Sequence, residues 1–255
     1  MNFWQIFAIT LYAFVGIYDA LETSFGLSNP IFAGFFAGLI MGNVPLGLSV
    51  GATLQLMILG VGTYGGASIP DYMTAALLGT VFGVLSGKGL EFAIGLAVPI
   101  GLLLVQLDVL ARFCNTYFQH KADKYAERLD LKGIERMNIL GVLPWGLSRA
   151  LPACLACIFG SDIVNTLVDH LPDWLLGGLK TAGHVLPVVG IAILLRFLPT
   201  KRYIAFLILG FVLAAYLSVP MVGVAIVGLA FAIIEYSKLT SGEKTTVGEG
   251  ALGDE

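Results

Sequence analysis

The chain reads as an all-α, polytopic membrane protein with discontinuous or re-entrant helices and a cytoplasmic amphipathic helix. Three observations carry that reading. Of the 255 residues, 57% are hydrophobic before any glycine is counted, only 12% are charged, and the mean hydropathy is +0.89. A soluble domain is about half apolar with glycine included and about a quarter charged. Several apolar windows reach the roughly 20 residues that cross a bilayer core as a helix. Between two shorter apolar runs, GATLQLMILGVGTYGGASIPD (Gly51–Asp71) breaks into glycines and ends on a carboxylate. A large soluble core would need every helix apolar on all faces, which the hydropathy argues against. The formal charge of −3 is too small to imply a nucleic-acid partner.

In chain order, Phe3–Ala20 is the first expected span. No basic region precedes it and no small-residue cleavage site follows, so it is expected to be retained. Ile31–Val50 is the second, and Gly34, Gly38 and Gly42 repeat along it at the spacing of close helix packing. From Gly51 to Gly60 is only about 15 Å of helix, and Tyr72–Leu85 is also short. The glycines and Pro70 between them predict a re-entrant break, which is tolerated at membrane depth only where protein or a wet cavity covers the backbone. Glu91–Ala111, Ile139–Phe159 and Trp174–Phe197 are further spans. Tyr203–Ile234 is long enough for two, divided near Ser218-Val219-Pro220. Residues 1–240 thus form one membrane-embedded domain. Residues 241–255 are polar, glycine-rich and acidic, a composition that predicts a disordered tail.

Basic residues set the orientation. Arg112, Lys121, Lys124, Arg128, Lys132 and Arg136 cluster beside membrane spans, which marks the cytoplasmic side. Counting crossings from there places Asp162–Asp173 outside, and Lys201, Arg202, Lys238 and the C-terminus inside. Phe118, Ala122, Tyr125 and Leu129 form a narrow apolar stripe at helical period, with His120, Lys124, Arg128 and Lys132 on another face and Gly133 as an expected stop. Such a helix suits either lipid headgroups or a cytoplasmic partner.

Ionisable residues at membrane depth mark pathways or pairs. Asp19 and Glu22, three apart, share a helix face where they line a cavity mouth or an interface. Arg149 needs a carboxylate partner or a wet cavity. Asp108 and Glu235 lie near expected helix ends and are read as reaching water. Gln55, an amide inside an apolar run, fits an uncharged, hydroxyl-rich ligand, with Thr53, Gly66, Ser68 and Asp71 around the break. Asp71 is either a ligand contact or the N-cap of the next helix.

Enzyme signatures are sparse. G-x-x-x-x-G-K-[ST] and H-E-x-x-H do not occur, and His120, His170 and His184 are scattered. Cys154 and Cys157 form C-x-x-C, with no further Cys or His close by. Helix packing is the better reading than a metal or redox pair. No cofactor, metal site or catalytic residue is expected on this chain.

Three ordered segments, GATLQLMILGVGTYGGASIPD, FQHKADKYAERL and GLKTAGHVLPVVGIAILLR, resemble the enzyme IIC component of the mannose–fructose–sorbose class of the bacterial phosphoenolpyruvate-dependent sugar phosphotransferase system. The similarity runs from about Phe3 to Tyr236. Members often carry Glu where Gln55 stands. The resemblance implies a permease subunit of the bacterial inner membrane that moves a hexose or related sugar. It also implies a IID membrane subunit, a higher IIC–IID oligomer, and phosphoryl transfer on cytoplasmic IIA and IIB. The alternative is a stand-alone ion-coupled secondary sugar transporter using Asp19, Glu22 or Asp71 as its coupling site.

Overall fold

The computed structural model describes the backbone of residues 1–59, 61, 69–170 and 173–249. The described residues form nine α-helices and one π-helical turn, with no strand. The helices are α1 (Phe3–Tyr18), α2 (Pro30–Met41), α3 (Val44–Met57), α4 (Tyr72–Ser86), α5 (Leu90–Glu127), α6 (Leu131–His170), α7 (Asp173–Phe197), α8 (Ile204–Ala215) and α9 (Met221–Glu249). The π-turn, Asp19–Thr23, continues α1. Four described stretches are long and apolar enough to cross a membrane: Phe3–Thr23, Leu90–Glu127, Leu131–Gly160 and Met221–Lys238. The chain divides into two compact units, Met1–Leu194 and Leu195–Glu255.

In the first unit the window Ile31–Val50 is not one crossing. It is a tight hairpin of two half-length helices. Pro30 opens α2 at its first position, where a missing N–H costs nothing. Gly42 closes α2 in the left-handed region at φ 76°, as a C-terminal glycine does. Asn43 then caps α3, its Oδ1 accepting from Leu46 N at 3.2 Å. With 12 and 14 residues, α2 and α3 are about 18 and 21 Å long, short of the roughly 30 Å hydrocarbon. Gly34 and Gly38 pack as their spacing implies, against Gly47 and Gly51 of α3: a Cβ on Gly34 would run into the Gly47 carbonyl, and one on Gly38 would stand 2.9 Å from the Asn43 carbonyl. Gly42 has no such neighbour, so it serves the turn and not the packing.

The half-length α4 lies at the centre. Every residue from Met73 to Gly83 is buried, because α1, α2, α3, α5 and α6 all pack on it. That is the fate of a helix apolar on all sides. Gly79 and Gly83 admit Ala97 and Ala93 of α5 against its backbone.

With 38 and 40 residues, α5 and α6 are about 57 and 60 Å long and extend well past the hydrocarbon. The amphipathic stretch is therefore a continuation of α5. It stops at Arg128 and Leu129 (φ 56°), not at Gly133. Gly133 lies in the first turn of α6, where its N–H donates to Asp130 Oδ1 at 3.0 Å and the Tyr125 ring lies against it. Phe118, Ala122 and Tyr125 are half-buried, while His120, Lys124, Arg128 and Lys132 are exposed. Leu129, the last residue of the stripe, is exposed.

In the second unit α8 and α9 pack together, with Phe206 and Phe231 ring centroids 5.5 Å apart. The turn between them holds Ser218 at φ 50° and Pro220, where the sequence predicts the division. At 12 residues α8 is about 18 Å long, half a span.

Candidate functional site

Asp71 opens α4. Its Oδ1 accepts from Thr74 N at 3.1 Å and its Oδ2 from Thr74 Oγ1 at 2.6 Å, which makes it the N-cap. Its own N–H donates to the Gly101 carbonyl of α5 at 3.1 Å. A Cβ on Gly101 would stand 3.2 Å from the Asp71 carbonyl oxygen, so the absent side chain lets the two backbones approach.

The same carboxylate meets a buried arginine. Arg149 Nε lies 2.5 Å from Asp71 Oδ2, a close ion contact whose N–H is not aligned as a hydrogen bond. Arg149 Nη2 donates to Asp108 Oδ1 at 2.9 Å and Nη1 to Ser148 Oγ at 3.2 Å. Asp108 Oδ2 accepts from Arg112 Nε at 3.0 Å, and the Arg112 guanidinium stands 5.5 Å from the Trp145 ring centroid. Two acids and two bases thus alternate across α4, α5 and α6. Arg149 and Asp108 are buried, Asp71 nearly so, and Arg112 is part-exposed at the outer end. Buried charges persist when paired in this way. Asp108 does not reach water at a helix end; it is the middle carboxylate of the network. The i,i+4 spacing of Asp108 and Arg112 was the available sequence signal for this pair.

Gln55 lies in the last turn of α3. Its Oε1 is buried and accepts no hydrogen bond among the described residues. Thr53 donates its hydroxyl to the Ser49 carbonyl at 2.8 Å, within the same helix. Against the end of α3 stands Gly190 of α7, where a Cβ would come 2.8 Å from the Met57 carbonyl oxygen. Gly190, the last glycine in GLKTAGHVLPVVGIAILLR, therefore meets the end of the helix that carries Gln55. Gly66 and Ser68 lie outside the described residues, as does the His184 side chain.

Asp19 is buried away from both. Its Oδ1 accepts from Thr23 Oγ1 at 2.8 Å and Phe25 N at 2.6 Å, and its Oδ2 from Gly26 N at 3.1 Å and Ser28 N at 3.0 Å. The π-turn widens the helix here, so Glu22 is exposed while Asp19 is buried, and the two do not share one face. Cys157 is buried and Cys154 half-buried, both as free thiols, and no metal-holding cluster of His, Cys, Asp or Glu occurs among the described residues.

Half-length helices around a break, with ionisable groups paired at membrane depth, are the construction of a membrane transport protein. Residues 3–234 match the family described as the PTS system sorbose-specific IIC component, and the chain belongs to that family. It is a multi-pass sugar permease component of a mannose-type phosphotransferase system.

Among its relatives is the sorbose-specific EIIC component of Klebsiella pneumoniae, 30% identical over 231 residues, which are 90% of this chain and 87% of the relative. The N-acetylgalactosamine permease IIC component 1 of Escherichia coli (strain K12) is 33% identical over 223 residues, 87% of this chain and 83% of the relative. A solved structure described as "Structure of membrane protein" superposes with a TM-score of 0.82 at 25% identity, covering 93% of this chain and 96% of that one. The same coverage and identity hold, with a TM-score of 0.61, for a chain of the mannose transporter ManYZ in complex with microcin E492.

Proposed function

We propose that this chain binds a hexose or related sugar at the break between α3 and α4 and moves it inward for phosphorylation by a cytoplasmic IIB component. The observation that carries the reading is the buried Gln55 Oε1, an acceptor with no donor among the described residues. A buried polar atom left unpaired costs about 1–3 kcal/mol, and a sugar hydroxyl donating to it removes that cost. Thr53 on α3, Gly66 and Ser68 in the break, and Asp71 at its far end complete the proposed site. Asp19, whose two oxygens already accept four bonds, is assigned to shaping the turn after α1. Ion coupling is the weaker reading, since Asp71 and Asp19 are both committed to partners within the chain. A second membrane subunit of IID type is the proposed partner, supported by the two-part name of the ManYZ transporter. The basic C-terminal end of α5 is the proposed approach for IIB, and Lys201, Arg202 and Lys238 support a cytoplasmic C-terminus. Residues 1–240 are proposed as the permease body and 241–255 as its tail.

The test is equilibrium binding of radiolabelled sorbose, mannose, fructose and N-acetylgalactosamine to membranes carrying the assembled transporter. Gln55→Ala is expected to weaken binding of the accepted sugar about ten- to hundredfold. Unchanged affinity in a folded variant rejects the site.

A further inference from the structure

We infer that Arg149 is a positioning residue of the sugar site, holding the start of α4 in register through Asp71. This rests on the proposed location of the site at the break that ends on Asp71. The geometry has two halves. Asp71 is held through its backbone by the Gly101 carbonyl of α5, and through its carboxylate by the Arg149 guanidinium of α6. Arg149 is itself fixed from behind: Nη2 donates to Asp108, Nη1 donates to Ser148, and Asp108 is held in turn by Arg112. The first turn of α4 therefore has its position set by two long helices and not only by its own cap.

Stability alone does not call for this arrangement. Buried ion pairs replaced by well-packed apolar residues of similar volume are often neutral or more stable, and apolar replacements are especially suited to a bilayer. The ionic solution adds direction. A planar guanidinium serves two carboxylates in fixed directions, which an ammonium on a flexible stem does not. It is placed where the chain leaves the break and enters the central helix, so a tilt of α4 there moves one wall of the site relative to Gln55 on α3.

The network also predicts which substitutions go together. Asn retains the capping ability of Asp71 but not the charge. In Asp71→Asn, Arg149 keeps Asp108 and loses its hold on α4. In Arg149→Gln, Asp71 keeps Thr74 and Gly101 and loses the guanidinium. Both variants break the same link.

The experiment compares Arg149→Gln, Arg149→Lys, Asp71→Asn, the double variant Asp71→Asn/Arg149→Gln, and Gln55→Ala, each as the full chain in membranes with its transport partners. Titration with the radiolabelled sugar that the wild type accepts, from the sorbose, mannose, fructose and N-acetylgalactosamine panel, gives site number and Kd separately. A merely structural arginine changes the number of sites and leaves the Kd of the survivors alone. The expected result is a Kd raised about tenfold or more in Arg149→Gln and by a smaller factor in Arg149→Lys. The double variant is expected to bind no more weakly than the weaker single one. Wild-type Kd in the surviving sites of Arg149→Gln overturns the inference, and Arg149→Lys decides in the same way if Arg149→Gln does not accumulate. Multiplying penalties in the double variant also overturn it, since Arg149 then does not act through Asp71. Wild-type Kd in Gln55→Ala alone counts against the assignment of Gln55 and leaves the Arg149 result standing.

Discussion

At Asp19 and Gln55 the same question, whether a buried polar atom has a partner, receives opposite answers. Each Asp19 oxygen accepts two hydrogen bonds, from Thr23, Phe25, Gly26 and Ser28. The site tolerates only an acceptor at both positions. Asp19→Asn keeps shape and volume yet turns an NH2 group toward two N–H or O–H donors. It is expected to lower stability by about 2–3 kcal/mol, the scale of hydrogen bonds to a charged group, with a melting temperature reduced in detergent. Melting at the wild-type temperature would show that the loop after α1 does not depend on the carboxylate. Gln55 has the reverse condition, an acceptor waiting for a donor, and truncation there should change affinity more than melting. The sequence marks both residues as polar atoms in apolar runs. It does not tell them apart, because the loop that wraps its N–H groups around Asp19 is a matter of local backbone path, while the burial of Gln55 Oε1 depends on how α3 packs.

Among the elements, the α2–α3 hairpin leaves little room for an added side chain. A Cβ on Gly47 would meet the Gly34 carbonyl and stand 2.8 Å from Gly38 Cα, and neither backbone atom can swing aside as a side-chain tip can. Gly47→Ala is therefore expected to cost about 1–3 kcal/mol, the usual range for overpacking. Gly210→Ala in α8 meets nothing within 4 Å and should be neutral or stabilising by up to about 1 kcal/mol through helix propensity. Thermal unfolding of the two variants checks the contrast, and equal losses would contradict this packing. Helix content and the spans around α1, α5, α6 and α9 were legible from hydropathy. The hairpin was not, because the apolar residues on either side of Gly42 and Asn43 keep the average over the whole run as apolar as a span, and only the left-handed turn at Gly42 shows that the chain reverses. The central position of α4 was equally hidden: a short helix that five others cover has the same composition as one that faces lipid. The network of Asp71, Asp108, Arg112 and Arg149 was half legible. Arg149 needed an acid by electrostatics alone, but which acids required the packing of three helices.

For the whole molecule, the half-length helices are the strongest physical reason to expect a second membrane subunit. Exposed apolar side chains are ordinary in lipid and by themselves demand nothing. Helix ends are different, since each leaves N–H or C=O groups unpaired and hydrocarbon supplies no partner. Within this chain some ends are covered: Gln5 Nε2 donates to the Ile40 carbonyl at the end of α2, and Asp71 caps α4. In α8, about 18 Å long, the Val212 and Leu213 carbonyls accept from Leu217 N and Val219 N beyond the helix end, and the end groups that remain are the ones a second subunit would cover. The proposed IID-type subunit, packed against the chain, would supply that cover. The chain purified alone and reconstituted in liposomes is accordingly expected to take up no sugar, even when IIA, IIB and a phosphoryl donor are enclosed. Adding the second membrane subunit should restore uptake of the sugar that the binding panel identifies, and omitting the phosphoryl donor should remove it again. Uptake by the chain alone at the rate of the full assembly would show that its helix ends are already covered, and that the site is complete within this one chain.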